Sequence, residues 1–362
     1  MILKTPLNEE HKLLGARMVE FGGWDMPVCY SNITDEHNTV RSKAGLFDIC
    51  HMGEIIVGGK GSISFLQEVM TNDMDKLGDG KALYSCMCNE DGGVLDDLFV
   101  YRFNANKFMI VVNAANIAKD FNWLQNKSKY GINIQNRSDD FAKLDLQGPN
   151  SQSVLQKLTS FDLDLLKRFN FVEGRVGGIS AIISRTGYTA EDGFELYFDS
   201  KEAVWIWREL LSAGAEFGLK PIGLGARDTL RTEAGYSLYG HELTEQINPY
   251  EADVSFTVKT SKDFVGKQAI SSHAVARKVV AFEMQGKVIA RNGHEVFKGD
   301  DKVGFITSGT FSPTFGKPIG MAMVNIENAS VGNELSVKIR DRYEKLTVVK
   351  KPVYKYSGKI NK

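Results

Sequence analysis

Residues 277–286 read RKVVAFEMQG and residues 294–309 read HEVFKGDDKVGFITSG. In both, apolar and polar residues alternate over short runs closed by Gly, Asn and Asp. A period of two marks a half-buried strand, and those three residue types supply the turns. KPIGMAMVNI (317–326) and NELSVKIRDRYEKLTVVKKPVY (333–354) continue the texture. The run predicts a separate all-β domain, barrel or sandwich, over residues 276–362. TSKDFVGKQAISSHAVA (260–276) leads into it.

Upstream, strand and helix signals alternate irregularly. GEIIVGG (53–59) and KFMIVVNA (107–114) read as strands rich in β-branched and aromatic residues. GSISFLQEVMTND (61–73) reads as an amphipathic helix capped by Ser62 or Ser64. ANIAKDFNWLQNKSKYG (115–131) places Ile117, Phe121 and Leu124 on one helical face, with Gly131 as the stop. SKEAVWIWRELLSAGAEFG (200–218) predicts a third helix. Residues 1–275 are therefore expected to form mixed α+β layers in more than one unit.

The bulk numbers narrow the function. The 362 residues exceed one ordinary core. A formal net charge of -1 argues against a dedicated nucleic-acid binder. No apolar stretch approaches the ~20 residues that span a bilayer. MILKTPLNEEHKLLGARM lacks the pattern of a signal peptide, so a cytoplasmic location is expected. Cys29, Cys50, Cys86 and Cys88 do not form zinc-type clusters and read as reduced thiols. Cys86 and Cys88, two apart, would share a strand face. The six histidines lack metal-ligand spacing, and no metal is expected. The phosphate loop, H-E-x-x-H and G-x-S-x-G are absent; GGKGSISF (58–65) reads as a turn.

Polar residues inside apolar strands remain. After the Gly92-Gly93 turn, VLDDLFVYRF runs as a strand. Alternation puts Val94, Asp96, Leu98 and Val100 on one face, and Leu95, Asp97, Phe99 and Tyr101 on the other. The two aspartates then cannot share one site, and at most one is a reagent. The plain alternative is that both cap the turn or pair with Arg or Lys. SRTGYTAEDGFELYF (184–198) holds Arg185, Tyr188, Glu191, Asp192 and, between Phe194 and Leu196, Glu195. GARDTLRTEAG (225–235) reads as a helix with Arg227 and Arg231 on one face. Arg227 with Glu233, or Asp228 with Arg231, would also serve as weak surface pairs.

FGGWDMPVCY, GLFDICHMGEI, MTNDMDKLGDGKALYSCMCNEDGGVLDDLFVYR, VVNAANIAKDFNWL, LQGPNSQ, SRTGYTAEDGFELY, GLGARDTLRTEAG, DFVGKQAI and TSGTFSPTFGKPIGMAMV follow one another along nearly the whole chain. In that order they resemble the aminomethyltransferases of the glycine cleavage system, the T-protein family. The resemblance implies an α+β fold with a three-lobed cloverleaf. Two interleaved α+β lobes with antiparallel sheets span residues 1–275, and a C-terminal β-barrel spans 276–362. It implies that the one-carbon unit of an aminomethyl group passes from the dihydrolipoyl arm of a lipoylated H-protein to tetrahydrofolate. The products are 5,10-methylenetetrahydrofolate and ammonia.

The resemblance also implies roles. Asp97 matches the catalytic aspartate. Glu195 matches the carboxylate that accepts the pterin N–H groups, and Arg227 the pterin-site arginine. Tyr188, Tyr84, Met52 and Asn113 match further pocket positions. Asp96 is left structural. Cys50 stands where the family commonly has serine, and reads as a harmless small residue. Ala190 stands where relatives have glycine, at a cost of about 1 kcal/mol if that position needs φ > 0. Arg291 reads as a surface arginine, with a place at the folate entrance as the alternative. Two rivals remain: another folate-dependent demethylase of this fold, and a non-catalytic folate-binding module. The module would keep Glu195 and Arg227 without needing Asp97.

Overall fold

The structure, a computed structural model, describes residues 2–128, 131–356 and 358. The chain interleaves two α+β units. Ala44–Asp48 enters one sheet, and the chain then leaves to build a second from Gly53–Gly58, Lys81–Cys88, Val94–Asn104, Lys107–Val112 and Asn133–Asn136. Phe141–Gln147 returns to pair with Ala44–Asp48. The first sheet has six strands, ordered Phe171–Val176, Ile179–Ser184, Gly193–Asp199, Phe141–Gln147, Ala44–Asp48, Leu219–Ile222. Its pairs are antiparallel except the last, where Leu219–Ile222 runs parallel to Ala44–Asp48. That is a departure from purely antiparallel sheets. It follows from the helix Ala203–Gly214, whose crossover brings the chain back in the same direction.

Strand alternation sorts the side chains into layers. Ala142, Leu144 and Leu146, with Phe194, Leu196 and Phe198, pack on Trp207 and Leu210 of that helix. In the five-stranded sheet, Ile55, Val57, Leu98, Val100 and Ile110 pack on Phe65, Leu66 and Leu124. The remaining faces meet each other, where Tyr101, Met109 and Val111 touch Phe171, Ile182 and Tyr197. The order is helix, sheet, sheet, helix, and the two sheets enclose the polar residues described below.

The six strands between Arg277–Met284 and Arg342–Val349 close into a barrel. Phe282, Val296, Ile306, Val324, Val337 and Val348 fill it. Its outside, through Val279, Met321 and Met323, packs on Ile247, Val254 and Ile270, and on Cys86, Cys88 and Val94 of the five-stranded sheet. All four cysteines are buried and unpaired.

The three expected helices form as Ser62–Val69, Ile117–Lys127 and Ala203–Gly214. Two details differ. The first helix starts from Gly61 at φ +94°, not from a serine cap. Ser62 instead donates its hydroxyl to the Gly59 carbonyl at 2.7 Å. The second helix stops at Lys127, short of Gly131; Lys129 and Tyr130 lie outside the described residues.

The strand carrying the two aspartates has a β-bulge. Asp96 faces Met87 and Val94 faces Cys88, so Leu95 is the extra residue. Leu95 turns into the same core as Leu98 and Val100, while Val94 goes under the barrel. The simple alternation therefore fails at Val94 and Leu95. Beyond the bulge, Asp96 leads into Leu98 and Val100 on the helix-covered face. Asp97 leads into Phe99 and Tyr101 on the face toward the other sheet.

Candidate functional site

Two polar groups occupy the walls between the sheets. The first surrounds Asp97. Tyr84, across the strand pair, donates its hydroxyl to Asp97 Oδ2 at 2.9 Å. The Asn113 amide donates to Asp97 Oδ1 at 3.0 Å and to Asp96 Oδ1 at 2.8 Å. Burial, and then the charge of Asp96, push the Asp97 carboxyl up to about 7; Tyr84 and Asn113 partly offset this. Asp97 is half-buried and Asp96 is sealed.

Among the described residues, Asp96 neither caps the glycine turn nor meets a cation. It accepts from the Asn113 backbone N–H at 3.0 Å and from Asn116 Nδ2 at 2.7 Å. The turn is closed instead by Asn89, whose side chain accepts from the Gly93 N–H at 2.9 Å. An aromatic row flanks Asp97. Tyr84 lies 5.5 Å from Phe99 and 6.0 Å from the exposed Phe256, and Phe99 lies 6.2 Å from the exposed Phe169, between ring centroids.

The second group surrounds Glu195, which is buried on Gly193–Asp199. Lys143 Nζ lies 3.2 Å from its Oε1. The Thr186 hydroxyl donates to Oε2, as does Tyr101 at 3.4 Å. Burial opposes ionisation, but Lys143, Thr186 and Arg227 overcome it and hold this carboxyl below its ordinary range. Asp145 sits directly opposite Glu195 in the ladder. Arg227 Nη1 donates to Asp145 Oδ2 at 2.9 Å, while Asp145 Oδ1 is sealed with no donor. Glu54 Oε1 and His51 Nδ1 are orphaned in the same way. Burial raises Glu54 to about 8 and lowers His51 to about 4, so both are neutral at pH 7 or close to it.

Tyr188 lies beside Arg227 of the second group. The Arg227 guanidinium sits 4.8 Å from the Tyr188 ring centroid. Tyr188 stacks on Tyr236 and donates its hydroxyl to the Ser237 carbonyl. Burial, partly offset by Arg231, holds its hydroxyl well above the ordinary range. Met52 reaches the Glu195 side, with Sδ 3.8 Å from Lys143 Nζ. The seven residues singled out from the sequence thus fall into an Asp97 group (Tyr84, Asn113) and a Glu195 group (Arg227, Met52), with Tyr188 beside Arg227. Tyr101 ties the groups together, because it shares a strand face with Asp97 and reaches Glu195.

Further placements correct or extend the sequence reading. Of the two pairs considered on this helix, Asp228 with Arg231 forms: the two lie 2.7 Å apart, with Asp228 half-buried. Arg231 is itself buried and also donates to Ser308 of the barrel at 2.9 Å. Glu233 pairs with Arg41 at 2.8 Å and with Ser312 and Thr314, not with Arg227. Ala190 does adopt φ +64°. Arg291 is exposed and donates to the Gly309 carbonyl at 3.1 Å.

Lys143 and Asp145 escaped the sequence reading. Their signal was present in FAKLDLQ (141–147), two charges at strand spacing inside an apolar run. Cys50 is buried; its N–H donates to Asp48 at 2.9 Å and its Sγ receives the Lys143 N–H at 3.2 Å, as a small polar residue would.

Comparison with known proteins follows the same architecture. Residues 7–262 match the GCVT N-terminal domain, and residues 277–355 match the glycine cleavage T-protein C-terminal barrel domain. The aminomethyltransferase of Caldanaerobacter subterraneus subsp. tengcongensis is 48% identical over 362 residues, covering 98% of this chain and 97% of that one. That of Desulforamulus reducens is 49% identical over 356 residues, covering 97% and 98%. The crystal structure of glycine cleavage system aminomethyltransferase T from Bartonella henselae superposes with a TM-score of 0.92, at 31% identity and 98% coverage of both chains. The chain belongs to the glycine cleavage T-protein family of aminomethyltransferases.

Proposed function

We propose that this chain, an aminomethyltransferase of the glycine cleavage system, binds tetrahydrofolate between its two sheets and works in the cytoplasm on a lipoylated H-protein. The observation that carries the folate reading is Glu195, a carboxylate held ionised by Lys143 in the wall between the sheets. An ionised acceptor there favours paired N–H donors. The pterin edge carries an N–H and an amino group side by side. Glu195 accepts from that edge. Tyr188 and Met52 supply apolar area against the ring, and Arg227 orders the wall through Asp145 and Tyr188.

The reaction balances without an outside reagent. The carbon of an S–CH2–NH2 group forms bonds to N5 and N10 of the folate while its C–N and C–S bonds break. The two protons lost by the folate nitrogens end on the departing ammonia and on the dihydrolipoyl sulfur. Positive charge develops on the transferred carbon as ammonia leaves. Asp97, fixed by Tyr84 and Asn113, presents a carboxylate to that charge. Its raised pKa leaves it able to hold a proton at neutral pH, so it also suits a proton relay at the folate nitrogen.

The test is tetrahydrofolate-dependent ammonia release from aminomethylated H-protein. Turnover supports the enzyme. Folate binding with no ammonia release would favour the binding module.

A further inference from the structure

Asp120 is a buried carboxyl that the reaction above does not use. It lies one turn beyond Asn116, at the start of the helix Ile117–Lys127. That spacing puts both side chains on one helical face. Asn116 donates to Asp96 at 2.7 Å, and the Asp120 carboxyl also lies against Asp96. Both Asp120 oxygens are sealed, and among the described residues no N–H or O–H reaches them. The donors around Asp96 are amides of Asn113 and Asn116, with no cation among them. Lys119, a nearby cation on the same helix, is turned to the Leu95 carbonyl at 2.7 Å, the Tyr239 hydroxyl at 2.8 Å and Glu245 at 3.1 Å. Two sealed carboxylates in contact cannot both ionise. Among the described residues, no three of His, Cys, Asp and Glu are arranged to hold a metal that would relieve them.

We propose that Asp120 is a neutral carboxylic acid donating its proton to Asp96, and that this shared proton fixes the charge behind Asp97. Asp120 is thus a positioning residue, acting through Asp96 and Asn113. The pair carries one negative charge. That charge holds the Asn113 amide hydrogens toward Asp96 and Asp97, where they orient the Asp97 carboxylate. The charged groups facing Asp120 are Asp96 and Asp97 from the strand and Lys119 from its own helix. Burial, and then the charge of Asp96, push Asp120 up to about 11, so the proton stays in place across neutral pH. The role toward Asp97 rests on the function proposed above; the proton itself does not.

The experiment compares wild type with Asp120→Asn and Asp120→Leu in the full chain. Infrared difference spectra between wild type and Asp120→Asn at pH 8 should show a carboxylic-acid C=O band from wild type. Asparagine keeps an N–H donor to Asp96 and leaves the pair's charge unchanged. Asp120→Asn should therefore keep kcat within about 3-fold and leave the acid limb of the kcat/KM profile in place. Asp120→Leu removes the donor and should lower kcat by about tenfold or more, with tetrahydrofolate affinity retained. Absence of the acid band, or a shift of the acid limb by about one pH unit in Asp120→Asn, overturns the proposal. The infrared measurement needs no turnover, so it separates failure of the proton pair from failure of the assigned activity. It also decides the question if Asp120→Leu does not fold.

Discussion

The Tyr84 hydroxyl donates to Asp97 Oδ2 at 2.9 Å, across a register in which Tyr84 faces Phe99 and Cys86 faces Asp97. The bond is diagonal, from one residue pair to the next, and it opposes the burial that raises Asp97. Tyr84→Phe removes it. Asp97 should then titrate above 7, and the acid limb of kcat/KM should move to higher pH by roughly half a unit to one unit. At pH 7 the rate should fall about 3- to 10-fold with folate affinity little changed. An unmoved limb would show that Asp97 is not the titrating group.

Lys143 neutralises Glu195 in a place where both are buried. Lys143→Met keeps the length and removes the charge. It should destabilise the fold by about 3–5 kcal/mol, because a buried carboxylate loses its cation. Tetrahydrofolate binding should weaken at least about tenfold. Adding Glu195→Gln should restore much of the stability and none of the binding. Denaturant titration and equilibrium binding read both quantities.

Ala190 holds φ +64°, where a Cβ is unfavourable. Ala190→Gly should raise stability by roughly 0.5–1 kcal/mol, seen as a higher Tm, with turnover unchanged. A lower Tm would show that the lost Ala190 methyl contacts outweigh the relieved backbone.

Glu233 joins the helix Leu224–Glu233 to the barrel through Ser312 and Thr314. Burial opposes its ionisation, but His37, Arg41 and Ser312 pull it down to about 2, below the ordinary 4.5. A depressed carboxyl contributes its full stability above about pH 5 and loses it as pH falls toward 2. Glu233→Gln should lower stability at pH 7 by on the order of 2 kcal/mol and flatten the acid side of the stability curve. Chemical denaturation at pH 3, 5 and 7 measures the difference.

The barrel was legible because its strands have one face inside and one outside, so most of them alternate, although bulges at Val296–Phe297 and Ile306–Ser308 interrupt the ladder. The long helices were legible for the same reason at their own period. Local backbone choices were not. The bulge at Leu95 and the Gly61 start depend on the partner strand and on a single φ angle. Asp97 could be separated from Asp96 because alternation holds beyond the bulge. Lys143 and Asp145 were harder. Their strand is buried on both faces, and only the opposing sheet shows that the charged face lines a site instead of a surface. Glu195 drew notice as a carboxylate between Phe194 and Leu196, but its cation, Lys143, lies 52 residues earlier in the chain.

The central claim is that Asp97 acts on the reacting carbon while the Glu195 end holds the folate. Single-turnover ammonia release from aminomethylated H-protein by Asp97→Asn, with tetrahydrofolate affinity measured on the same preparation, tests it most directly. Asparagine is neutral and close in shape, and relief of a buried carboxylate should leave the fold at least as stable at pH 8. The account predicts a rate loss of about 10²-fold or more with folate affinity retained within about threefold. A variant that releases ammonia at the wild-type rate, or loses folate binding in proportion to rate, would contradict it.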